Sequence, residues 1–179
     1  ALATLDLMEK VYQKNKTLRC LSVNLDAEAI KKIQSKGFEA VHTRAENLDQ
    51  YNINADIFLC FETLEHLMDP AHFLYELSEK TKASYLILTV PYVSQSRVGL
   101  HHLRNHRAEN VYAENTHIFE FCPTDLKLLA QHTGWKVSDE QIYLQYPKYN
   151  ILRVTQPLWK KYDFEGFYGL ILKRDHTWS

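Results

Sequence analysis

An apolar run that leads straight into a polar turn and a helix is the most constraining feature of this sequence. The run, Ile57 to Phe61, has five apolar residues bounded by Asp56 and Glu62, which is typical of a strand buried on both faces of a parallel sheet. Asp69 then stands in an N-cap position ahead of Pro70, which favours the start of a helix. The stretch therefore predicts a central strand, a turn and an amphipathic helix.

Strands and helices alternate along the rest of the chain. The predicted strands span residues 18–25, 38–42, 57–61, 85–90, 135–146 and 166–173. The predicted helices span residues 1–14, the segment between Asp26 and Gly37, residues 70–82, and the segment from Pro123 to Gly134. This alternation indicates an α/β fold with a parallel sheet and right-handed crossovers. Because ligands of such sheets bind outside the carboxyl ends of the strands, residues 61–66 are expected to line a site.

Length and charge limit the classes of function. The 179 residues are expected to form a single domain, and a net charge of −1 argues against a nucleic-acid surface. Three well-separated cysteines and no signal or long apolar segment indicate a cytoplasmic protein without a membrane partner. The sequence begins at Ala1, inside a predicted helix, so we expect it to start partway into a longer polypeptide.

A loop predicted over residues 92–121 has little periodicity and contains four of the nine histidines. Loops of this length are usually functional or disordered, and we interpret this one as a substrate lid or insertion. The residues expected to contact the substrate there are Arg97, His101, His102, Arg104 and His106. The two arginines among them suit phosphates or carboxylates. His102 and His106, spaced at i and i+4, can together bind a divalent metal if the segment is helical. A solvated polar loop is the third interpretation, and no metal site is assigned.

Two segments carry a resemblance to a known family. Residues 60–70, read as Cys-Phe-Glu-Thr-Leu-Glu-His-Leu-Met-Asp-Pro, resemble the "C-F-E-V-L-E-H-L-x-D-P" run at the fourth strand of class I S-adenosylmethionine (SAM)-dependent methyltransferases. Residues 116–126 are similar to the family's "E-H-x-x-x-F-S-P-E-D-L" entry to the helix before the last strand pair. The resemblance implies a doubly wound, mostly parallel Rossmann-like α/β sheet whose last strand pair is antiparallel, with SAM as cofactor.

The same resemblance implies which residues surround the cofactor. They are Asn24 and Leu25 at the end of the second strand, Ala45 and Glu46 near the adenine, and Phe61 and Glu62 near the methionine part and the acceptor. The family's glycine-rich turn is missing, since the first 36 residues contain no glycine, and Asn24 replaces the expected carboxylate. We expect the first strand and its turn to lie upstream. Asp26 is an alternative ribose ligand, although helix capping is its more frequent use, and Glu46 is alternatively a solvated loop residue.

Histidines are the candidates for acceptor chemistry. His117 is the predicted general base, because imidazole titrates near neutral pH and this position enters the site from the loop side. His66 is expected to contact the substrate. Packing or capping is the alternative for His117, and a structural role is the alternative for Glu65 and His66.

The sequence therefore predicts a SAM-dependent methyltransferase acting on a small molecule, such as a sugar or a quinone-like or polyketide-like metabolite. A homodimer is compatible with the sequence, which does not decide the oligomeric state. One alternative is a catalytically degenerate methyltransferase fold that serves as a binding or scaffold protein, as the missing glycines and Asn24 suggest. The other is a metal-dependent enzyme centred on His101, His102 and His106.

Overall fold

The chain divides into two compact units, Ala1–Ile53 and Asn54–Ser179. A computed structural model describes residues 2–98, 117–144 and 166–177. Its helices are α1 (Leu2–Lys14), α2 (Ala27–Ser35), α3 (Pro70–Lys80) and α4 (Pro123–His132). Its strands are β1 (Leu21–Asn24), β2 (Glu39–His42), β3 (Ile57–Phe61), β4 (Tyr85–Pro91), β5 (Arg97–Val98), β6 (Phe119–Glu120), β7 (Trp135–Leu144) and β8 (Gly166–Arg174). Each predicted helix and strand is confirmed within these ranges, with ends that differ by a few residues.

The first unit is a parallel β-α-β arrangement preceded by α1. Strands β1 and β2 pair in parallel, and α2 connects them. Asp26 caps α2, because its carboxylate accepts a hydrogen bond from the backbone N–H of Glu28 at 2.9 Å. Gly37, at a φ of +83°, provides the left-handed turn that ends the helix. Met8 and Ile33 form the buried centre of this unit.

The second unit contains a four-stranded sheet in the order β3-β4-β8-β7. Strands β3 and β4 are parallel, whereas β8 is antiparallel to both β4 and β7. Three strands therefore run one way, and β8 is inserted between two of them in the opposite direction. This topology confirms the prediction of a mostly parallel α/β sheet with an antiparallel last pair.

The core of this unit lies against α3 and α4. Leu86 and Leu88 of β4 and Leu170 of β8 are almost completely buried. Trp135, at the start of β7, is also buried, and its indole N–H donates a hydrogen bond to the carbonyl of Leu74 in α3 at 2.9 Å. This bond satisfies the polar atom of a large apolar side chain in the core.

Strand β3 differs from its prediction. It was expected to be central and buried on both faces, but it lies at the end of the four-stranded sheet among the described residues. Cys60 is buried, whereas the side chains of Ile57 and Leu59 are 51% and 52% exposed. Alternate residues of a strand face opposite sides of a sheet, and an apolar run does not specify which segments will cover each side. The expectation of two buried faces is therefore wrong for the described residues.

The predicted lid is described only at its two ends. The first end, residues 92–98, includes β5. This strand pairs antiparallel with β6, so that Arg97 lies opposite Glu120. Residues 99–116, which include His101, His102, Arg104 and His106, lie outside the described residues. The described helices include none with the length and hydrophobicity needed to cross a membrane.

Candidate active site

A polar turn at the carboxyl end of β3 provides the first part of the candidate site. Glu62 has a φ of +47°, in the left-handed region that residues other than glycine rarely adopt. Its backbone N–H donates a hydrogen bond to the carbonyl of Thr89 in β4 at 3.0 Å, and the Thr63 hydroxyl donates to the carbonyl of Phe61 at 2.9 Å. A 3-10 turn, Leu64–His66, follows at once. The backbone therefore fixes the orientation of this turn against the adjacent strand.

The surroundings of the Glu62 carboxyl group disfavour its charged form. Burial raises its pKa, and a hydrogen bond with Thr89 and the charge of His117 oppose this rise only in part. Its Oε1 atom is buried and accepts no hydrogen bond from the part of the chain that the structure describes. Glu62 therefore lies directly after β3, and its predicted contact with the cofactor stays a prediction.

Glu65 is the most deeply buried acidic residue of the turn, with only 1% of its surface exposed. Burial, together with the nearby charge of Glu62, raises the pKa of Glu65 to about 8, and its own backbone N–H opposes this rise in part. Neither carboxylate oxygen has a partner in hydrogen-bond geometry among the described residues. A buried carboxyl without such partners is costly in a structure that serves only packing.

Two histidines from separate segments meet beside this carboxyl group. The rings of His66 and His117 lie edge to face with their centroids 4.8 Å apart, and Nε2 of His66 is 3.9 Å from Oε1 of Glu65. The backbone N–H of Ile118 donates a hydrogen bond to the carbonyl of Glu65 at 2.9 Å, which joins the two segments. One potential ligand atom from each of Glu65, His66 and His117 lies within 4.8 Å of the other two.

A third carboxyl group supports His117 from the other side. Oε1 of Glu120 lies 3.1 Å from Nδ1 of His117, and its Oε2 forms an ion pair with the Arg97 guanidinium at 2.6 Å. Glu120 is only 4% exposed. Arg97 therefore balances the charge of Glu120, while the substrate contact predicted for Arg97 stays a prediction.

Glu120 was not predicted as a site residue, and Glu65 was assigned mainly a structural role. The spacing contained a signal for both. Glu65 follows the candidate Glu62 by three residues, and Glu120 follows the candidate His117 by three residues. Arg97 and Glu120 meet only because β5 pairs with β6.

The residues expected at the cofactor ribose lie at the carboxyl end of β1. Oδ1 of Asn24 accepts a hydrogen bond from the backbone N–H of Asp26 at 2.8 Å, which stabilises the turn into α2. Nε2 of His42, at the end of the parallel strand β2, is 2.7 Å from the carbonyl oxygen of Leu25. Asp26 caps α2, in agreement with the capping interpretation.

The residues expected near the adenine lie in the loop after β2. The Tyr51 hydroxyl donates a hydrogen bond to the carbonyl of Ala45 at 2.6 Å. Nε of Arg44 donates to Oε2 of Glu46 at 2.8 Å in a partly buried ion pair. Glu46 is therefore not a freely solvated loop carboxylate. The predicted contacts of Ala45 and Glu46 with the cofactor stay predictions, as do those of Asn24, Leu25 and Phe61.

Comparison with known proteins finds a similar domain and similar folds. A family model described as a methyltransferase domain matches residues 4–86. A complex of the Haloferax volcanii Trm112 methyltransferase activator with a candidate methyltransferase shares the fold, with a TM-score of 0.67 and 12% identity over 96% of this chain and 78% of that one. The [4+2]-cyclase SpnF also shares it, with a TM-score of 0.63 and 11% identity over 94% and 71% of the two chains.

A third structure was solved with a cofactor product. Burkholderia thailandensis 1,6-didemethyltoxoflavin-N1-methyltransferase, with bound 1,6-didemethyltoxoflavin and S-adenosylhomocysteine, has a TM-score of 0.61 and 15% identity over 93% of this chain and 65% of that one. No curated protein sequence matches the chain significantly. The match to a methyltransferase domain over residues 4–86 and the shared fold make this chain similar to SAM-dependent methyltransferases, whose cofactor is SAM.

Proposed function

We propose that this enzyme transfers the methyl group of SAM to a small-molecule acceptor, in the class of sugars or of quinone-like or polyketide-like metabolites. The observation that carries the proposal is the cluster of ionisable side chains at the carboxyl end of β3, formed by Glu62, Glu65, His66 and His117. Ligands of open α/β sheets bind at this end of the strands. The acceptor is therefore expected to bind beside this cluster.

The reaction requires alignment and the removal of one proton. A bond forms between the acceptor atom and the methyl carbon, the carbon–sulfur bond of SAM breaks, and its electron pair remains on sulfur as neutral S-adenosylhomocysteine leaves. The acceptor proton passes to the cluster, in which two carboxyl groups and two imidazoles are available. His117 was predicted as the base, and its interaction with Glu120 through Nδ1 leaves Nε2 for that role.

Two observations support a small acceptor over a macromolecule. The net charge of −1 provides no general attraction for nucleic acid. The Burkholderia enzyme of the same fold was solved with a small heterocyclic compound. The acceptor class can be tested by incubating the full-length protein with SAM that carries a radioactive methyl group, together with separate pools of small metabolites, RNA and protein. Label in the small-molecule fraction supports the proposal, and label only in RNA or protein contradicts it.

A degenerate fold that serves as a scaffold is the second candidate function. Asn24 lacks the charge that the family uses for the ribose, and its Oδ1 already accepts a hydrogen bond from Asp26. The shared fold with a cyclase also shows that this architecture alone does not determine the reaction. The absence of SAM binding by the folded full-length protein would favour this candidate.

Replacing Asn24 with aspartate is expected to tighten SAM binding by about 3-fold to 10-fold, because charge-assisted hydrogen bonds to ribose hydroxyls are stronger than those of a neutral amide. The measurement is calorimetric titration of the full-length protein. Asn15→Asp is the matched control, since Asn15 lies after α1 in an exposed turn with Thr17 and should leave affinity unchanged. Weaker or equal SAM binding by the Asn24 variant, with the control unchanged, would contradict the assignment of Asn24 to the ribose.

A further inference from the structure

Three side chains at the carboxyl end of β3 have the chemistry and the spacing of metal ligands. Glu65 supplies a carboxylate, and His66 and His117 supply imidazoles, with one ligand atom of each within 4.8 Å of the other two. From this geometry we propose that Glu65, His66 and His117 bind a divalent cation of the zinc class. Nothing in the sequence patterns assigned a metal here, since the histidine pair considered there was His102 and His106.

The burial of Glu65 is an independent reason to place a cation at this point. Its side chain is 1% exposed, and neither oxygen has a partner in hydrogen-bond geometry among residues 2–98, 117–144 and 166–177. A carboxyl group buried without a hydrogen-bond partner is costly, and its charged form needs a counter-charge. Nε2 of His66 is 3.9 Å from Oε1 of Glu65. A cation bound between Glu65 and the two histidines would satisfy this requirement.

The residues behind His117 fit the outer shell of a metal site. A ligating histidine usually donates its second ring N–H to a carboxylate, which fixes the orientation of the ring. Oε1 of Glu120 is 3.1 Å from Nδ1 of His117, so Nε2 is the nitrogen that would meet the cation. Arg97 in turn holds Glu120 at 2.6 Å. The ring is therefore supported before any ion binds.

The donor set selects the kind of cation. Two imidazoles and one carboxylate suit zinc and related transition ions, whereas magnesium and calcium prefer oxygen ligands throughout. Three protein ligands would also leave at least one position for an oxygen of the acceptor. Glu62, whose buried Oε1 accepts no hydrogen bond from a described residue, is a second carboxyl group near enough to influence the charge of Glu65.

The role of the cation in methyl transfer deepens the proposed function and rests on it. An acceptor hydroxyl bound at the cation would lose its proton more readily, because a bound cation lowers the pKa of a coordinated oxygen. The proton passes to the Glu62 carboxylate, the oxygen forms its bond to the methyl carbon, and the carbon–sulfur bond breaks with its electrons on sulfur. In this arrangement His117 acts as a ligand, and Glu62 takes the role of base that was predicted for His117.

The test measures metal binding without SAM or an acceptor. Untagged full-length protein, freed of metal with a chelator, is titrated with zinc, cobalt and magnesium chloride by calorimetry, and the visible spectrum of the cobalt form reports nitrogen and oxygen ligands. We expect one zinc per chain, and affinity lower by more than about 100-fold in Glu65→Gln and His117→Gln. Glu120→Gln should weaken binding by about 10-fold to 100-fold. His72→Gln, with a 65% exposed histidine side chain, is the matched control and should bind as the parent does.

Thermal unfolding in the presence of chelator shows that each variant is folded. Unchanged zinc affinity in folded Glu65→Gln, binding of magnesium alone, or no binding of zinc or cobalt by the folded parent would overturn the proposal. Zinc binding without methyl transfer to any acceptor would contradict the proposed function and leave the metal site intact.

Discussion

Replacing Arg97 with methionine is expected to lower the free energy of unfolding by about 3 to 5 kcal/mol, because it leaves the buried carboxylate of Glu120 without its guanidinium partner. The ion pair measures 2.6 Å, and Glu120 is 4% exposed. Replacing both partners, in Arg97→Met with Glu120→Leu, should recover part of this loss, since the buried carboxylate that has lost its guanidinium is then removed as well. Chemical denaturation of the parent and the variants is the measurement.

A surface ion pair in the first unit provides the matched control. Arg19 and Glu39 approach to 2.7 Å, but their side chains are 73% and 50% exposed. Arg19→Met is therefore expected to cost less than about 1 kcal/mol, because water screens the charges in both states. Equal and small losses in Arg97→Met and Arg19→Met would show that Glu120 is not held in a buried, charge-dependent position.

Replacing His117 with alanine is expected to lower kcat for methyl transfer by about 100-fold to 10,000-fold. The reason is that His117 lies beside Glu65 and His66, where we propose that the acceptor proton is removed, and Glu120 interacts with its Nδ1. The affinity for SAM should stay close to that of the parent, because the role proposed for His117 concerns the acceptor.

The readout is the rate of S-adenosylhomocysteine formation with the acceptor that the label-transfer experiment identifies. His72→Ala, which removes an exposed histidine of α3, should keep the parent rate. An unchanged kcat in a folded His117 variant would remove His117 from the chemistry. A parallel loss of SAM affinity would indicate a structural defect instead.

The local structure of the chain could be predicted because its signals are local. The apolar run from Ile57 to Phe61 and the Asp69-Pro70 start of α3 specify a strand and a helix through composition and capping alone. The exposure of Ile57 and Leu59 could not be predicted, since it depends on which other segments cover β3. Composition shows what a strand is able to bury and does not show what lies against it.

The candidate site was predicted only in part, for a similar reason. The segment from Phe61 to His66 lies at the carboxyl end of β3, where ligands of parallel sheets bind, and its contact with a ligand stays a prediction. The contact between His66 and His117 depends on the hydrogen bond from the backbone N–H of Ile118 to the carbonyl of Glu65. This bond joins segments that are far apart in sequence. No periodicity within either segment encodes that contact.

Binding of the cofactor is the most direct test of whether this chain belongs to a working SAM-dependent methyltransferase. The full-length polypeptide, with its mass and folding verified, would be titrated by calorimetry with SAM and separately with S-adenosylhomocysteine. Micromolar binding of both compounds is the predicted result. No binding of either compound by the intact, folded protein would contradict a working methyltransferase and favour a methyltransferase fold retained as a scaffold.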